Sequence, residues 1–176
     1  MLTTKDGKIF AIGERYHKAA SGAGIAAAIL GGGGPGFVKA VLEEIVIIEF
    51  NKDFKPIKLN TFPKGKSNVQ LPPGAGLMGE SLFGIILKSI NGFDYSYTQE
   101  TDDKSSFTVG YFFREDKINY FGAINYADGK FTKDKISLKT ESTSLRVFPA
   151  KPGYIMINEY FKKLKKSESR LEKLNF

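Results

Sequence analysis

Few residues in this chain have the types needed for catalysis. His17 is the only histidine among 176 residues, and cysteine is absent. A thiolate zinc site, a cysteine nucleophile, a disulfide framework and any two-histidine metal site are excluded by that inventory. A serine nucleophile would need His17 as its base, and His17 stands beside Lys18 with no evident acidic partner. Asp94, Glu100, Asp102 and Asp103 gather between two predicted strands. Oxygen ligands of that kind suit calcium, but their spacing matches no calcium loop and Lys104 sits among them, so a solvated hairpin tip is expected. Glu43 and Glu44 are adjacent, and in a strand they point to opposite faces, which prevents general acid and base work as a pair. Glu49 is expected at its strand's edge. The sequence therefore assigns no catalytic residue, no cofactor-binding residue and no metal ligand.

Gly22-Ala23-Gly24-Ile25-Ala26-Ala27 satisfies the relaxed dinucleotide pattern, with Glu43 about 20 residues on, where a ribose-binding acid belongs. That pattern requires an apolar strand running into the first glycine and an intact helix behind it. Here Tyr16 to Ser21 intervenes, and Gly31 to Gly34 with Pro35 breaks the helix whose N-terminus would hold a pyrophosphate. No Lys-Ser/Thr pair follows the glycines, so a phosphate-binding loop is excluded too. Ala19 to Val38 carries no charge and is long enough to span a membrane, yet its glycines and Pro35 break any transmembrane helix. Residues 18–40 are expected to form a flexible or locally helical Gly/Ala insertion within a single domain, 1–176.

The elements are mostly β. Ile9 to Ile12 reads as a short strand. Glu44 to Phe50 is a β-branched run, apolar on both faces and so central in a sheet. A second strand follows over Ile57 to Phe62. Phe107, Val109, Tyr111 and Phe113 alternate with Thr108, Gly110 and Phe112, and Ile118, Tyr120, Ile124 and Tyr126 share a face in the next run. Asp128-Gly129 is a strong hairpin signal before the return at Phe131 to Leu138. Tyr154 to Phe161 and Ser169 to Leu174 form the last pair. Helix is expected over Ala19 to Leu30 and Glu80 to Ile90 only, and in the second Gly84 and the Ile85-Ile86 pair leave a strand reading open. Phe93, Tyr95 and Tyr97 lie on one side of a strand; such a row can stack on sugars or bases, but core filling is the ordinary role.

Three segments, 46–62, 121–138 and 155–174, share one form: an apolar strand, a polar turn, and an outer strand dotted with lysines that guard against edge pairing. Their turns fall near residues 53, 128 and 165, so the first interval is about twice the second. Successive propeller blades have this pattern, with four blades as the minimum for a ring, so three hairpins imply either an open or sandwich-like β domain or the tail of a longer chain.

The formal charge is +7, from 26 basic and 19 acidic residues. Lys162, Lys163, Lys165 and Lys166 crowd one turn, where they could meet phosphates or anionic lipid heads. No recognition motif accompanies them and only four residues are arginine, which argues against nucleic acid. The first 18 residues lack the features of a signal peptide.

KDGKIFAIGE (5–14), IIEFNKDFK (47–55), GFDYSYTQ (92–99), LRVFPAKPGYIMINEYFKK (145–163) and RLEKLN (170–175) resemble the C-terminal portion of an uncharacterised bacterial domain-of-unknown-function family. The resemblance implies an exported, β-propeller-like protein, truncated here at an internal methionine and so periplasmic or extracellular. It carries no functional residues with it. The expectation is an all-β, propeller-like chain of repeated antiparallel hairpins, acting as a non-catalytic binding or scaffolding module for a glycan or protein ligand. Two alternatives stand: part of a glycan-active hydrolase whose catalytic acids lie outside this chain, and a binder of anionic surfaces through Lys162–Lys166. An unclosed ring of this kind is expected to pair or aggregate.

Overall fold

The structure, a computed structural model, describes residues 1–22, 25–26, 38–72, 74–139 and 144–176. Its strands form three antiparallel meanders that follow one another along the chain and do not close. The first sheet holds β1 (Leu2–Thr3), β2 (Ile9–Ala20), β3 (Val38–Phe50) and β4 (Pro56–Gln70). Helix α1 (Glu80–Ser89) follows. The second sheet comprises β5 (Tyr95–Glu100), β6 (Ser106–Glu115), β7 (Ile118–Ala127) and β8 (Lys130–Ser137). The third is β9 (Ser144–Pro149), β10 (Tyr154–Phe161) and β11 (Lys166–Lys173). Among the described residues the chain is all-β apart from α1 and short helical turns.

Each of the three repeated segments is the closing hairpin of a sheet: β3–β4, β7–β8 and β10–β11. The lysine-dotted strands β4, β8 and β11 lie at sheet edges, as their charge predicts. Asp128 and Gly129 both take left-handed conformations (φ 49° and 77°), the geometry a tight hairpin needs. The long first interval is a single step between neighbouring sheets, filled by α1, β5 and β6.

Period-two alternation sets the stacking. Phe107, Val109, Tyr111 and Phe113 of β6 pack with Phe10, Ile45, Ile47 and Phe62 of the first sheet. The opposite face of the second sheet, with Phe112, Phe121 and Ala123, packs with Val147, Ile155 and Ile157 of the third. The second sheet is thus covered on both sides. Phe10, fully buried, meets Phe107 at 5.2 Å and Tyr126 at 4.8 Å between ring centroids. Burial of such a ring contributes roughly 1.5–3 kcal/mol. Gly122 pairs with Tyr111, and a Cβ there would stand 2.4 Å from the Tyr111 ring. A third cluster joins Ala40 and Leu42 to Phe83 and Leu87 of α1, with Tyr16 stacked on Phe83 at 5.4 Å.

Several sequence expectations need correction. β2 does not stop at Ile12 but runs to Ala20, because Tyr16 and Lys18 continue its inward face onto α1. β3 likewise starts at Val38, and β4 reaches Gln70. Lys18, Ala19 and Ala20 pair with Ala40, Lys39 and Val38, so both ends of the 18–40 segment belong to the ladder. The helix expected over Ala19–Leu30 cannot include Ala19 and Ala20; Gly22, Ile25 and Ala26 are helical, and most of its remainder lies outside the described residues. β3 is central in its sheet as expected, but only one of its two apolar faces meets another sheet.

Candidate functional site

The first sheet changes partner midway. Its register shifts between Arg15 and Tyr16 on β2 and between Leu42 and Glu44 on β3. Before those bulges it faces the second sheet; beyond them it faces α1. Three charged side chains meet at this junction. Glu14 follows Phe10 and Ile12 on the inward face of β2, Lys64 follows Phe62 on β4, and Asp94 precedes β5. Lys64 Nζ donates to Asp94 and lies 4.0 Å from Glu14 Oε2. The Lys64 side chain is fully buried and that of Glu14 is 1 % exposed. Glu14 Oε1 accepts the Tyr95 backbone N–H, while Oε2 has no hydrogen-bond donor. Burial holds the Glu14 carboxyl above its ordinary range; the Tyr95 N–H opposes this, the Asp94 charge adds to it, and Lys64 opposes it.

Two hollows of about 540 Å³ each meet at Glu14. One is lined by Leu2, Ile12, Phe93, Tyr95, Lys88 and Glu14. The other runs along β2 past Tyr16, His17 and Lys18 to Glu80 on α1. Their volumes fall in the range of small-ligand sites. Both follow the outer edge of β2. β1 pairs with that edge only at Phe10 and Ile9, and among the described residues no strand pairs with it along Ala11–Ala20. The result is a groove with an unpaired backbone on one wall and apolar and aromatic side chains on the other, with the buried Glu14 carboxyl beneath it. A ligand can align polar groups along the strand edge and rest apolar groups on Ile12, Phe93 and Tyr95, while the Glu14 carboxyl, 1 % exposed, lies behind that edge.

The residues singled out by sequence are dispersed. His17 does have an acidic partner, Glu43 at 3.5 Å, which also pairs with Lys66 at 2.8 Å. Sequence reading missed the contact because the β3 bulge carries Glu43 toward His17. Glu44 pairs with Arg15 at 2.8 Å, and since Arg15 and His17 share one face of β2, the bulge sets Glu43 and Glu44 on the same side of the sheet, not on the opposite faces expected of a regular strand. Glu49 pairs with Lys8 at 3.6 Å. Asp94 and the Asp102–Asp103 turn lie at opposite ends of β5, so the acidic cluster does not assemble. Asp103 accepts from Ser105 through side chain and backbone, which with Thr101 lowers its pKa to about 2. Among the described residues no group of three or more His, Asp or Glu side chains is placed to hold a metal. Phe93, Tyr95 and Tyr97 do not form one row, because β5 bulges between Tyr95 and Tyr97. Phe93 packs against the α1 cluster, Tyr97 against the third-sheet cluster, and Tyr95 is exposed.

β2 does run up to Ser21 and Gly22, contrary to the expectation of an intervening loop, but in an antiparallel meander with no parallel crossover. Ala23, Gly24, Ala27 and the Gly31–Gly34 run lie outside the described residues. Lys162–Leu164 form a single helical turn and Lys165 is left-handed. Glu168 tempers that turn's charge, bonded to Lys139 at 2.5 Å and Lys166 at 3.0 Å, contacts that lower its pKa to about 2. No described helix is long and apolar enough to cross a membrane.

A family model matches residues 1–175. The chain belongs to a family of unknown function, DUF6770. The match spans essentially the whole chain. No curated protein and no solved structure matches it significantly. For this DUF6770 chain, the groove at Glu14 is therefore read from geometry alone. Sequence could have flagged Glu14 and Lys64: each continues an inward-facing alternation, two places beyond Ile12 and Phe62, where an apolar residue is the norm.

Proposed function

We infer that this chain is a non-catalytic binding module, one unit of a propeller-like assembly, and that it takes an extended polypeptide segment along the open edge of β2. The observation that carries this reading is the pair of hollows beside that unpaired edge, whose linings share Glu14. An exposed edge of this kind binds a peptide by strand addition, the main chain supplying hydrogen bonds and alternate side chains entering pockets. β1 is an internal precedent, since it already lies antiparallel on the same edge at Ile9 and Phe10. The charge arrangement at the junction disfavours catalysis. Asp94, the carboxylate beside Glu14, is held by Lys64, so the two cannot divide acid and base roles across a substrate.

The test is a titration of isotope-labelled protein, followed by amide resonances. One arm uses a pool of six-residue peptides of alternating polarity, the other a pool of neutral oligosaccharides. The expected result is that peptides shift and protect amides along the open edge over Ala11–Lys18, and that Gly13→Pro, which disrupts that edge, abolishes the effect. Oligosaccharides acting there in place of peptides would overturn the peptide assignment. Silence at that edge in both arms, or shifts confined to Lys162–Lys166, would overturn the site itself.

A further inference from the structure

Between β4 of the first sheet and β6 and β8 of the second lies another hollow, of about 490 Å³. It shares no described lining residue with the hollows beside β2. Its rim on the first sheet is Pro63 to Gly65, where β4 places three residues, Lys64 to Lys66, against Glu43 alone on β3. Extra residues of this kind bend a strand and interrupt its ladder. The opposite wall is the inward face of the second sheet, with Tyr111 and Phe113 of β6 and Lys133 and Lys135 of β8. Tyr111 pairs with Gly122, and Gly122 pairs in turn with Lys135. The missing Cβ of Gly122 lets the far end of the Tyr111 ring lie across β7. The residue is 4 % exposed, and what stays uncovered lines the hollow. Among the described residues its hydroxyl has no hydrogen-bond partner. Buried hydroxyls are ordinarily bonded, so one that borders a hollow calls for a partner from outside the chain.

The charges around this hollow leave one uncompensated cation. Lys64 lines it, but its ammonium is bonded to Asp94 at the buried junction. Lys135 pairs with Glu115 at 2.5 Å and lies 4.6 Å from the centre of the Tyr120 ring. Asp134 accepts from the backbone and side-chain N–H groups of Asn175. Lys133 follows Phe131 on the inward face of β8, and Phe131 packs on Phe10 and Phe62 of the first sheet. Among the described residues the Lys133 ammonium has neither an ion pair nor a hydrogen bond. Beside these charges the wall is aromatic and held in place. Phe113 stacks on Tyr111 at 5.7 Å and on Tyr120 at 5.2 Å between ring centroids.

We propose that this hollow binds a sugar carboxylate of the uronic acid class, its carboxylate on Lys133, its hydroxyls on Tyr111 and Glu115, and its C–H face against Phe113. A single free ammonium matches a single negative charge, and the nearby Glu115 carboxylate repels a doubly charged phosphate. The Tyr111 hydroxyl can donate or accept, while Glu115 accepts only, so together they suit a ligand rich in hydroxyl groups. A mostly apolar wall with a few convergent polar groups, in a hollow of this volume, is the usual form of a small-ligand site. The site is independent of the peptide groove, and either can fail without the other.

Titration of the isotope-labelled full chain with D-glucuronate tests this, with D-glucose as the neutral sugar and benzoate as the carboxylate that is not a sugar. Millimolar glucuronate should shift the amides of Gly65, Tyr111, Gly122 and Lys133 saturably. Glucose and benzoate should each bind about tenfold more weakly, because each lacks one set of contacts. Lys133→Gln, at an exposed position, should weaken glucuronate by about tenfold and leave glucose unchanged. Tyr111→Phe should weaken both sugars without lowering the melting temperature, since the hydroxyl it removes bonds nothing in the free protein. Glucose binding as well as glucuronate overturns the role of Lys133, and benzoate binding as well overturns the sugar. Absence of saturable shifts at these residues overturns the site. A Tyr111→Phe chain that melts lower overturns the unpaired hydroxyl on which the proposal rests.

Discussion

Replacing Lys64 by methionine tests whether the junction of the first sheet is organised as described. Methionine keeps most of the volume and removes the ammonium. In the wild type that ammonium is fully buried, bonded to Asp94 and 4.0 Å from Glu14 Oε2. Without it two carboxylates share a site in which Glu14 is 1 % and Asp94 16 % exposed. Breaking a buried pair by removing one partner costs about 3–5 kcal/mol, because the remaining charge is stranded. With a urea slope of about 2 kcal/mol per molar, the unfolding midpoint should drop by roughly 1.5–2.5 M at pH 8. The deficit should also depend on pH. Glu14 already titrates above its ordinary value through burial, and loss of the cation pushes it higher. A carboxyl raised in the folded state contributes stability that is complete below its unfolded pKa and is lost as pH rises through its folded pKa. The gap between variant and wild type must therefore be widest at pH 8 and narrow toward pH 5. Adding Glu14→Gln to the variant should remove most of that pH dependence. Lys66→Met, which breaks the exposed pair with Glu43, serves as control and should leave the midpoint almost unchanged. A drop under about 0.5 M, or one equal at pH 5 and pH 8, would refute the buried-charge account.

Two further variants test how the sheets are held together. Gly65 lies where β4 approaches β6, and a Cβ there would come 2.1 Å from the backbone oxygen of Arg114. Gly65→Ala should cost about 1–3 kcal/mol by forcing the backbones apart, read as a melting temperature roughly 3–10 °C lower; an unchanged melt would mean that the approach is looser than described. Arg170→Met should cost about 3–5 kcal/mol, since it strands Glu159, which is fully buried and otherwise bonded to the Lys139 N–H at 2.9 Å. Pairing Arg170→Met with Glu159→Gln should recover most of that loss in chemical denaturation; no recovery would show that the arginine acts by packing alone.

The alternation of β6 and β7, the Asp128-Gly129 turn and the lysine-dotted outer strands were legible in the residues, because period two, left-handed turn geometry and edge protection are local properties of a strand and its neighbours. They sufficed for an all-β chain of repeated hairpins. At Glu80–Ile90 the spacing of Leu82, Ile85, Ile86 and Ser89 pointed to helix while Gly84 and Ile85-Ile86 left strand open, and packing of Phe83 and Leu87 on the first sheet decides for helix α1. The extensions of β2 and β4 were not legible. GERYHKAA and PKGKSNVQ are polar or small, and they remain extended because Tyr16 and Lys18 lie over Phe83 and because β3 between them supplies a ladder on both sides. The contacts of His17 with Glu43 and of Lys64 with Asp94 join residues 26 and 30 positions apart, by way of bulges and a sheet crossing that no local pattern encodes. The Glu14 groove has the same origin. Strand periodicity marked which face Glu14 would take; only the packing of α1 and β5 beside an unpaired edge made that face the floor of a hollow.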